Sequence, residues 1–329
     1  MDVCVLGRIG YDLYAVEQNQ RLAEVKHFSR HLGGSSANIA VGLARLGLRV
    51  GIVSSVGKDA LADFLLGFLR REGIDTQFVQ LVEGYNTSLC LTEVSPPNHF
   101  PQVFYRRDPA DVQLQLGGSE LAYIQGASLF VTNGTSLSAP PAREATMSAL
   151  KAARTAGLRT AFDIDYRASS WRSPEEAGIQ ARKALPWVDV LLGNEEELSL
   201  LSGTSETRDQ AQIGLDAGAS LVIRKRGSDG VEAYSRDGYV FAPKCAVNVM
   251  STIGAGDGFG AGFLYGLARG LSLDECLRYG NAVAAIVVSR ISCSDAMPYL
   301  KELNEFLAGN TRSRTQEASV EAPRIEESP

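Results

Sequence analysis

The sequence predicts an α/β protein, a three-layer α/β/α sandwich with a mostly parallel central sheet and a small β lid. Three observations carry that prediction. Short runs rich in valine, isoleucine and leucine alternate with longer helical patterns, as parallel strands joined by crossover helices require. Two stretches depart from this rhythm, with closer alternation and clustered aromatics, which is the pattern of strands outside the main sheet. The length of 329 residues is enough for one large α/β domain.

Taken in order, the expected sheet strands are Val3–Leu6, Val50–Ser54, Leu129–Thr132, Arg159–Phe162, Val188–Leu192 and Leu221–Lys225. Their near-continuous apolar character points to burial on both faces. The expected helices are Ser36–Leu46, Ala60–Glu72, Pro141–Ala156 and Glu195–Leu201, each closing near glycine or a polar turn. Residues 11–27 and 85–107, carrying Tyr11, Tyr14, Phe104 and Tyr105, are the expected lid, inserted into a domain spanning 1–310. Residues 311–329 are polar and charged with almost no large apolar side chain, so a disordered tail is expected there. No internal repeat is visible.

Net charge is −6, with 38 acidic and 32 basic residues and no basic cluster, so neither a nucleic-acid footprint nor an anionic-membrane patch is present. The start lacks the basic and apolar regions of a signal peptide, and no apolar run approaches the ~18 residues of a membrane span. Cys4, Cys90, Cys245, Cys276 and Cys293 form no C-x-x-C pair, and three scattered histidines add no zinc spacing. A reduced cytoplasmic protein acting on a small molecule is expected.

The most informative segment runs from Ser251 to Gly262, S-T-I-G-A-G-D-G-F-G-A-G, a glycine turn entering a helix with Asp257 at the junction. Glycines let backbone N–H groups approach an anion, and a helix N-terminus adds a fixed positive dipole. A carboxylate there repels phosphate but suits a general base facing a nucleophilic hydroxyl. A second segment, Gly33 to Gly47, feeds a Gly-Gly turn into a helix, with Ser35 or Ser36 as N-cap and Asn38 in the first turn. Alone, it reads equally well as a tight turn and close helix packing. Gly256-x-Gly258-x-x-Ala261 satisfies a loose dinucleotide fingerprint but comes late in the chain and enters a helix without the strand context. A Walker A loop is excluded, because Gly57-Lys58 is followed by Asp59 and the earlier glycine is Ile52.

With these two segments the chain resembles the ribokinase-like, or PfkB, family of carbohydrate kinases over about residues 3 to 305. The resemblance implies Asp257 as catalytic base, Gly254, Ala255 and Gly256 as an anion hole, and Asp12, Gly33, Gly34 and Asn38 around the sugar. Asn194-Glu195-Glu196-Glu197 resembles the family's N-x-x-E element, implying a nucleotide-side Asn194 and indirect help from Glu197 in placing Mg2+. The run Lys225-Arg226-Gly227-Ser228-Asp229-Gly230 resembles its nucleotide-side turn, implying Lys225, Gly227 and Gly230, while Asn281 resembles the helix bordering adenine. ATP is the implied co-substrate. Asp12-Leu13-Tyr14, Phe104-Tyr105-Arg106, the run from Phe162 to Arg167 and the stretch from Val288 to Pro298 are similar to the branch that phosphorylates 5-dehydro-2-deoxygluconate.

A sugar acid needs a cationic grip, and Arg106 and Arg167 are able to supply it bidentately. Either arginine equally suits a helix cap or a pairing with Asp108 or Asp165. Ser251 and Ser292 depart from the family pattern of aspartate and glycine, which bears on a K+ site. A 2-keto-3-deoxygluconate kinase, a neutral-sugar kinase and a non-catalytic sugar sensor are the alternatives, and an exposed lid edge leaves a homodimer open.

Overall fold

The structure, a computed structural model, describes residues 1–202 and 207–309, so the expected tail at 311–329 lies outside the described residues. The chain runs β1 (Val3–Leu6), β2 (Gly10–Ala15), β3 (Phe28–Gly33), α1 (Ser35–Arg45), β4 (Val50–Gly57), α2 (Ala60–Arg71), β5 (Asp75–Val82), β6 (Leu89–Thr92) and β7 (Gln102–Tyr105). It continues through α3 (Gly118–Gln125), β8 (Leu129–Asn133), α4 (Ala142–Thr155), β9 (Arg159–Asp163), α5 (Pro174–Ala184), β10 (Val190–Asn194), α6 (Glu195–Ser202) and α7 (Thr207–Asp216). The last elements with printed bounds are β11 (Leu221–Lys225), β12 (Val231–Ser235), β13 (Gly238–Ala242), α8 (Ala255–Ala268) and α9 (Leu273–Val288), and residues 300–309 are helical.

Nine strands form the central sheet in the order β13-β12-β11-β10-β9-β8-β1-β4-β5. All pairings from β11 to β5 are parallel, and β12 and β13 add an antiparallel edge. Strand alternation builds a core on each side. Val3 and Val5 of β1 enter one apolar cluster while Cys4 and Leu6 enter the other, and Leu192 and Leu191 of β10 divide the same way. Side chains of α1, α2, α8 and α9 complete the first cluster, and those of α3 to α7 the second. Each large side chain so buried contributes roughly 1.5–3 kcal/mol.

The six strands expected in the sheet are all there, with ends shifted by a few residues. Three more were not expected. β5, β12 and β13 lie at the sheet margins, where half-exposed residues dilute the apolar runs that mark a central strand.

A second sheet, β3-β2-β6-β7, holds the expected lid strands. It extends further than the pattern implied: β3 runs from Phe28 to Gly33, beyond His27. The N-cap of α1 is also corrected. Gly34, at φ 93, takes that position with no side-chain cap, and Ser36 Oγ donates instead to the Leu6 carbonyl at 3.4 Å. A Cβ at Gly34 would lie 2.4 Å from the Arg8 carbonyl oxygen, so no serine fits at that turn. Among the described residues no helix is long and apolar enough to cross a membrane.

Candidate active site

The carboxyl ends of parallel strands open into a cleft of about 440 Å³, lined from the other side by Tyr14, Gln102 and Phe104 of the second sheet. Arg8 lies just beyond β1, and Asp163, Asn194 and Lys225 end β9, β10 and β11, so the strand ends themselves carry side chains into the space. Ligands of open α/β sheets bind at this edge, because there the helices that follow the strands begin.

Asp257 lies in the first turn of α8, behind Gly254, whose φ of 79 and ψ of −1 are left-handed. A Cβ on Gly254 would lie 2.6 Å from Cys293 Sγ, so glycine is required twice, by backbone and by space. Two donors converge on Asp257 Oδ2: Asn38 Nδ2 at 2.8 Å and the Cys293 thiol at 3.3 Å. Burial, reinforced by the charge of Asp257, holds the Cys293 thiol well above its ordinary pKa, so it stays protonated and donates. Asp257 Oδ1 has no hydrogen-bond partner among the described residues, and Asp257 lines the cleft together with Gly254, Ala255 and Gly256.

Around this centre, buried acceptors wait for donors. Asp12 Oδ1, Asn38 Oδ1 and Ser35 Oγ are buried without a partner, which suits the hydroxyls of a polyol. Burial pushes Asp12 up to about 6, the charge of Arg8 partly offsetting it. Lys225 Nζ donates to both Asp163 oxygens at 2.9 and 2.7 Å, and Glu197 Oε2 lies 4.0 Å away. Burial raises Asp163 and opposes the charge on Lys225. Burial is the largest influence on Lys225, but the carboxylates of Asp163, Glu197 and Asp165 together outweigh it, and the ammonium ends above its ordinary value. The result is a protonated ammonium, close enough to Gly256 that a Cβ there would lie 3.7 Å from it.

A helix-terminal glycine turn, a carboxylate with an open oxygen and a buried ammonium together suit phosphoryl transfer to a hydroxyl. The profile of the pfkB family carbohydrate kinases matches residues 1–300. The chain belongs to that family. It is an ATP-dependent sugar kinase, and its relatives agree. A protein named 5-dehydro-2-deoxygluconokinase from Shouchella clausii is 38% identical over 310 residues, covering 93% of this chain and 95% of that protein. Another of that name from Bacillus subtilis is 34% identical over the same shares. Among solved structures, aminoimidazole riboside kinase from Salmonella enterica, complexed with its riboside and an ATP analog, aligns with TM-score 0.82 at 27% identity. That alignment covers 93% of this chain and 100% of the other. A PfkB protein from Polaromonas sp. JS666 aligns with TM-score 0.83 at 26% identity, covering 92% and 99%.

Most residues that the family resemblance implied converge on the cleft: Asp12, Gly34, Asn38, Arg167, Asn194, Glu197, Lys225, Gly227 and the run from Gly254 to Asp257. Gly33 stands behind it, where a Cβ would lie 2.2 Å from the Asp12 carboxyl. Three residues do not reach it. Arg106 Nε donates to Asp111 Oδ2 at 3.1 Å, with both side chains almost fully buried, so its guanidinium is held away from the cleft by an acid three residues beyond the Asp108 first considered. Asn281 Nδ2 donates to the carbonyls of Ala242 and Pro243 at 3.3 and 2.9 Å, fastening the end of β13. Gly230, at φ 93, makes the turn into β12.

Arg167 takes the pairing considered for it and also stands at the cleft. It lines the cleft with its side chain half exposed, and its Nε pairs with Asp165 Oδ1 at 3.1 Å. Asp165 is held in turn by Asn133 Nδ2 and Thr135 Oγ1 at 3.1 and 2.9 Å, and burial raises it.

Sequence reasoning assigned no role to Arg8, Asp163 or Cys293. The signal for Asp163 was its position at a strand end, and for Cys293 its place in the stretch already likened to the family. Glu197 accepts N–H groups of Asn194 and Tyr166 at 2.7 and 3.0 Å, while Asn194 Oδ1 accepts from Glu197 N at 2.8 Å. Among the described residues no group of three His, Cys, Asp or Glu is arranged to hold a metal. The hard oxygens of Asn194, Glu197 and Asp163 suit magnesium held chiefly by phosphate and water. Ser251 is fully buried and its Oγ accepts from Ile253 N at 3.1 Å, so it brings no charge to a K+ site.

Proposed function

We propose that this kinase transfers the γ-phosphoryl group of ATP to a primary hydroxyl of 5-dehydro-2-deoxygluconate. The observation that carries the chemistry is Asp257, oriented by Asn38 and Cys293 with one oxygen open to the cleft. In this reading Asp257 accepts the proton of the attacking hydroxyl, and the amides of Gly254, Ala255 and Gly256 stabilise charge on the transferring group. Lys225 meets the phosphate oxygens beside Gly256, and Asp12 and Asn38 hold sugar hydroxyls. Asn194, Glu197 and Asp163 are the residues that would face magnesium, which supplies neutralisation of phosphate charge. The second sheet acts as a lid that excludes water, a competing nucleophile.

The sugar acid is supported by the names of the relatives and by Arg167 in the cleft. A reducing cytoplasm suits the buried thiols of Cys4, Cys90, Cys276 and Cys293. A homodimer through the outer edge of β7, where Val103 and Tyr105 are exposed, is the assembly this reading carries.

The test is ADP release with Mg-ATP against 5-dehydro-2-deoxygluconate, 2-keto-3-deoxygluconate, fructose and ribose. Preference for the first acid supports the reading. Preference for a neutral sugar keeps the kinase and removes the acid, and preference for 2-keto-3-deoxygluconate redirects the substrate within the acids.

A further inference from the structure

We propose that Arg8, with Arg167, grips the carboxylate of the sugar acid and sets the preference for acids over neutral sugars. The inference rests on the sugar-acid reading above and supplies the second cation that Arg106 does not.

Arg8 follows β1 and enters the cleft half-buried. Among the described residues its guanidinium makes one hydrogen bond, Nη1 to Ser88 Oγ at 3.3 Å, and no ion pair. A guanidinium carries five donors, so one hydroxyl leaves it far from satisfied. The other two cations lining the cleft are already matched, Lys225 by Asp163 and Arg167 by Asp165. An incoming carboxylate therefore gains most at Arg8, and Arg167, half exposed on its other edge, is the second arm.

The backbone is shaped around this arginine. A Cβ at Gly10 would lie 2.4 Å from Arg8 Nη1, so the guanidinium occupies the space a side chain at Gly10 would take. Its neighbours belong to the sugar end. The turn at Gly34 packs against the Arg8 carbonyl, and the Arg8 charge acts on Asp12. The anion hole and Lys225 belong to the phosphate end. Arg8 also touches the lid, with its Cζ 5.8 Å from the centroid of the Phe104 ring on β7. An acid held by Arg8 is thus held beside the lid strands, where closure begins.

A guanidinium suits any oxyanion, so the experiment must separate the sugar carboxylate from the γ-phosphate. Wild type, Arg8→Met, Arg8→Lys and Gly10→Ala are assayed as full chains with Mg-ATP, varying 5-dehydro-2-deoxygluconate, fructose and ATP in turn. We expect Arg8→Met to raise KM for the acid by about thirtyfold or more, as loss of a desolvated charge contact does. KM for ATP should stay within about twofold, and kcat/KM for fructose should fall far less than kcat/KM for the acid. Arg8→Lys should lose part of the effect. Gly10→Ala, which crowds the guanidinium while keeping its charge, should move KM in the same direction.

A parallel rise in KM for ATP would assign Arg8 to the phosphate and overturn the clamp. A wild type that prefers the acid with an Arg8→Met variant that keeps this preference overturns the clamp alone. A wild type that prefers fructose removes both the acid reading and the clamp. Where Arg8→Met fails to fold, as judged by circular dichroism, unchanged acid KM in Arg8→Lys and Gly10→Ala together is the overturning result.

Discussion

At the residue scale, the site depends on a few buried carboxylates whose neighbours assign them different tasks. Asp257 has two donors on one oxygen and an open second oxygen, so it is held as an acceptor facing the cleft. Asp257→Asn should lower kcat by about 10²-fold or more and leave nucleotide affinity nearly unchanged, read from ADP release and from ATP titration. Equal turnover in the variant would remove the base from Asp257.

Asp12 differs, because burial raises its pKa to about 6 against roughly 3.9 in an unfolded chain. The folded state therefore binds its proton more tightly. Its burial cost is absent below about pH 4, grows as pH rises to about 6, and is full above that. Asp12→Asn should gain about 2 to 3 kcal/mol in urea unfolding at pH 7, lose that gain by pH 4, and bind sugar worse. A gain independent of pH would contradict the assignment. Asp12 was legible because a motif flagged it. Arg8 was not, since an arginine after a strand has no sequence signature until the chain that folds around it is known.

At the element scale, the site is held by contacts between segments distant in sequence. Arg45, at the end of α1, pairs with Glu72 at 3.0 and 2.8 Å and donates to the carbonyls of Ser294, Asp295 and Met297 at 3.1, 3.0 and 2.8 Å. The same helix carries Asn38, and the same loop carries Cys293, so the hydrogen bonds from one arginine to that loop tie both donors to Asp257 together. Arg45→Met should cost about 3 to 5 kcal/mol in denaturant unfolding, as breaking a buried pair does, and should lower kcat. Full kcat in a destabilised variant would mean that the loop positions nothing. Gly254→Ala should cost about 1 to 2 kcal/mol from backbone strain alone, with the crowding against Cys293 in addition, and should lower kcat more than it raises KM.

The glycines downstream have another cause. Cβ atoms at Gly262 and Gly266 would lie 2.4 Å from the Tyr279 carbonyl oxygen and 3.0 Å from the Cys276 Cα, so these glycines let α8 and α9 touch. Gly256 and Gly258, which matched a dinucleotide fingerprint, lie inside α8 and not in a strand-to-helix turn.

At the scale of the whole molecule, the cleft joins two sheets, and ligands that bridge them should stabilise the fold. Saturation at about a hundredfold above Kd is worth about 2.7 kcal/mol, so 5-dehydro-2-deoxygluconate with ADP should raise Tm by several degrees over ADP alone. Fructose should not. Equal shifts for both sugars would show that the carboxylate contributes nothing to binding.

The sequence by itself determined the layered α/β fold and pointed to the glycine turn and to Asp257, the proposed base, because hydrophobic period and glycine-to-helix junctions are local and write themselves into consecutive residues. It also drew Asp12, Asn38, Lys225 and Arg167 into the candidate set through motifs. Only the tertiary structure decided which cations are left for a substrate. Arg106 is taken by Asp111 five residues away, while among the described residues Arg8 has a single hydrogen bond, to Ser88 from 80 residues along the chain. Charge pairing depends on distances through space, and a strand order that sets β1 beside β4 and β8 fixes those distances without any trace in the neighbouring residues.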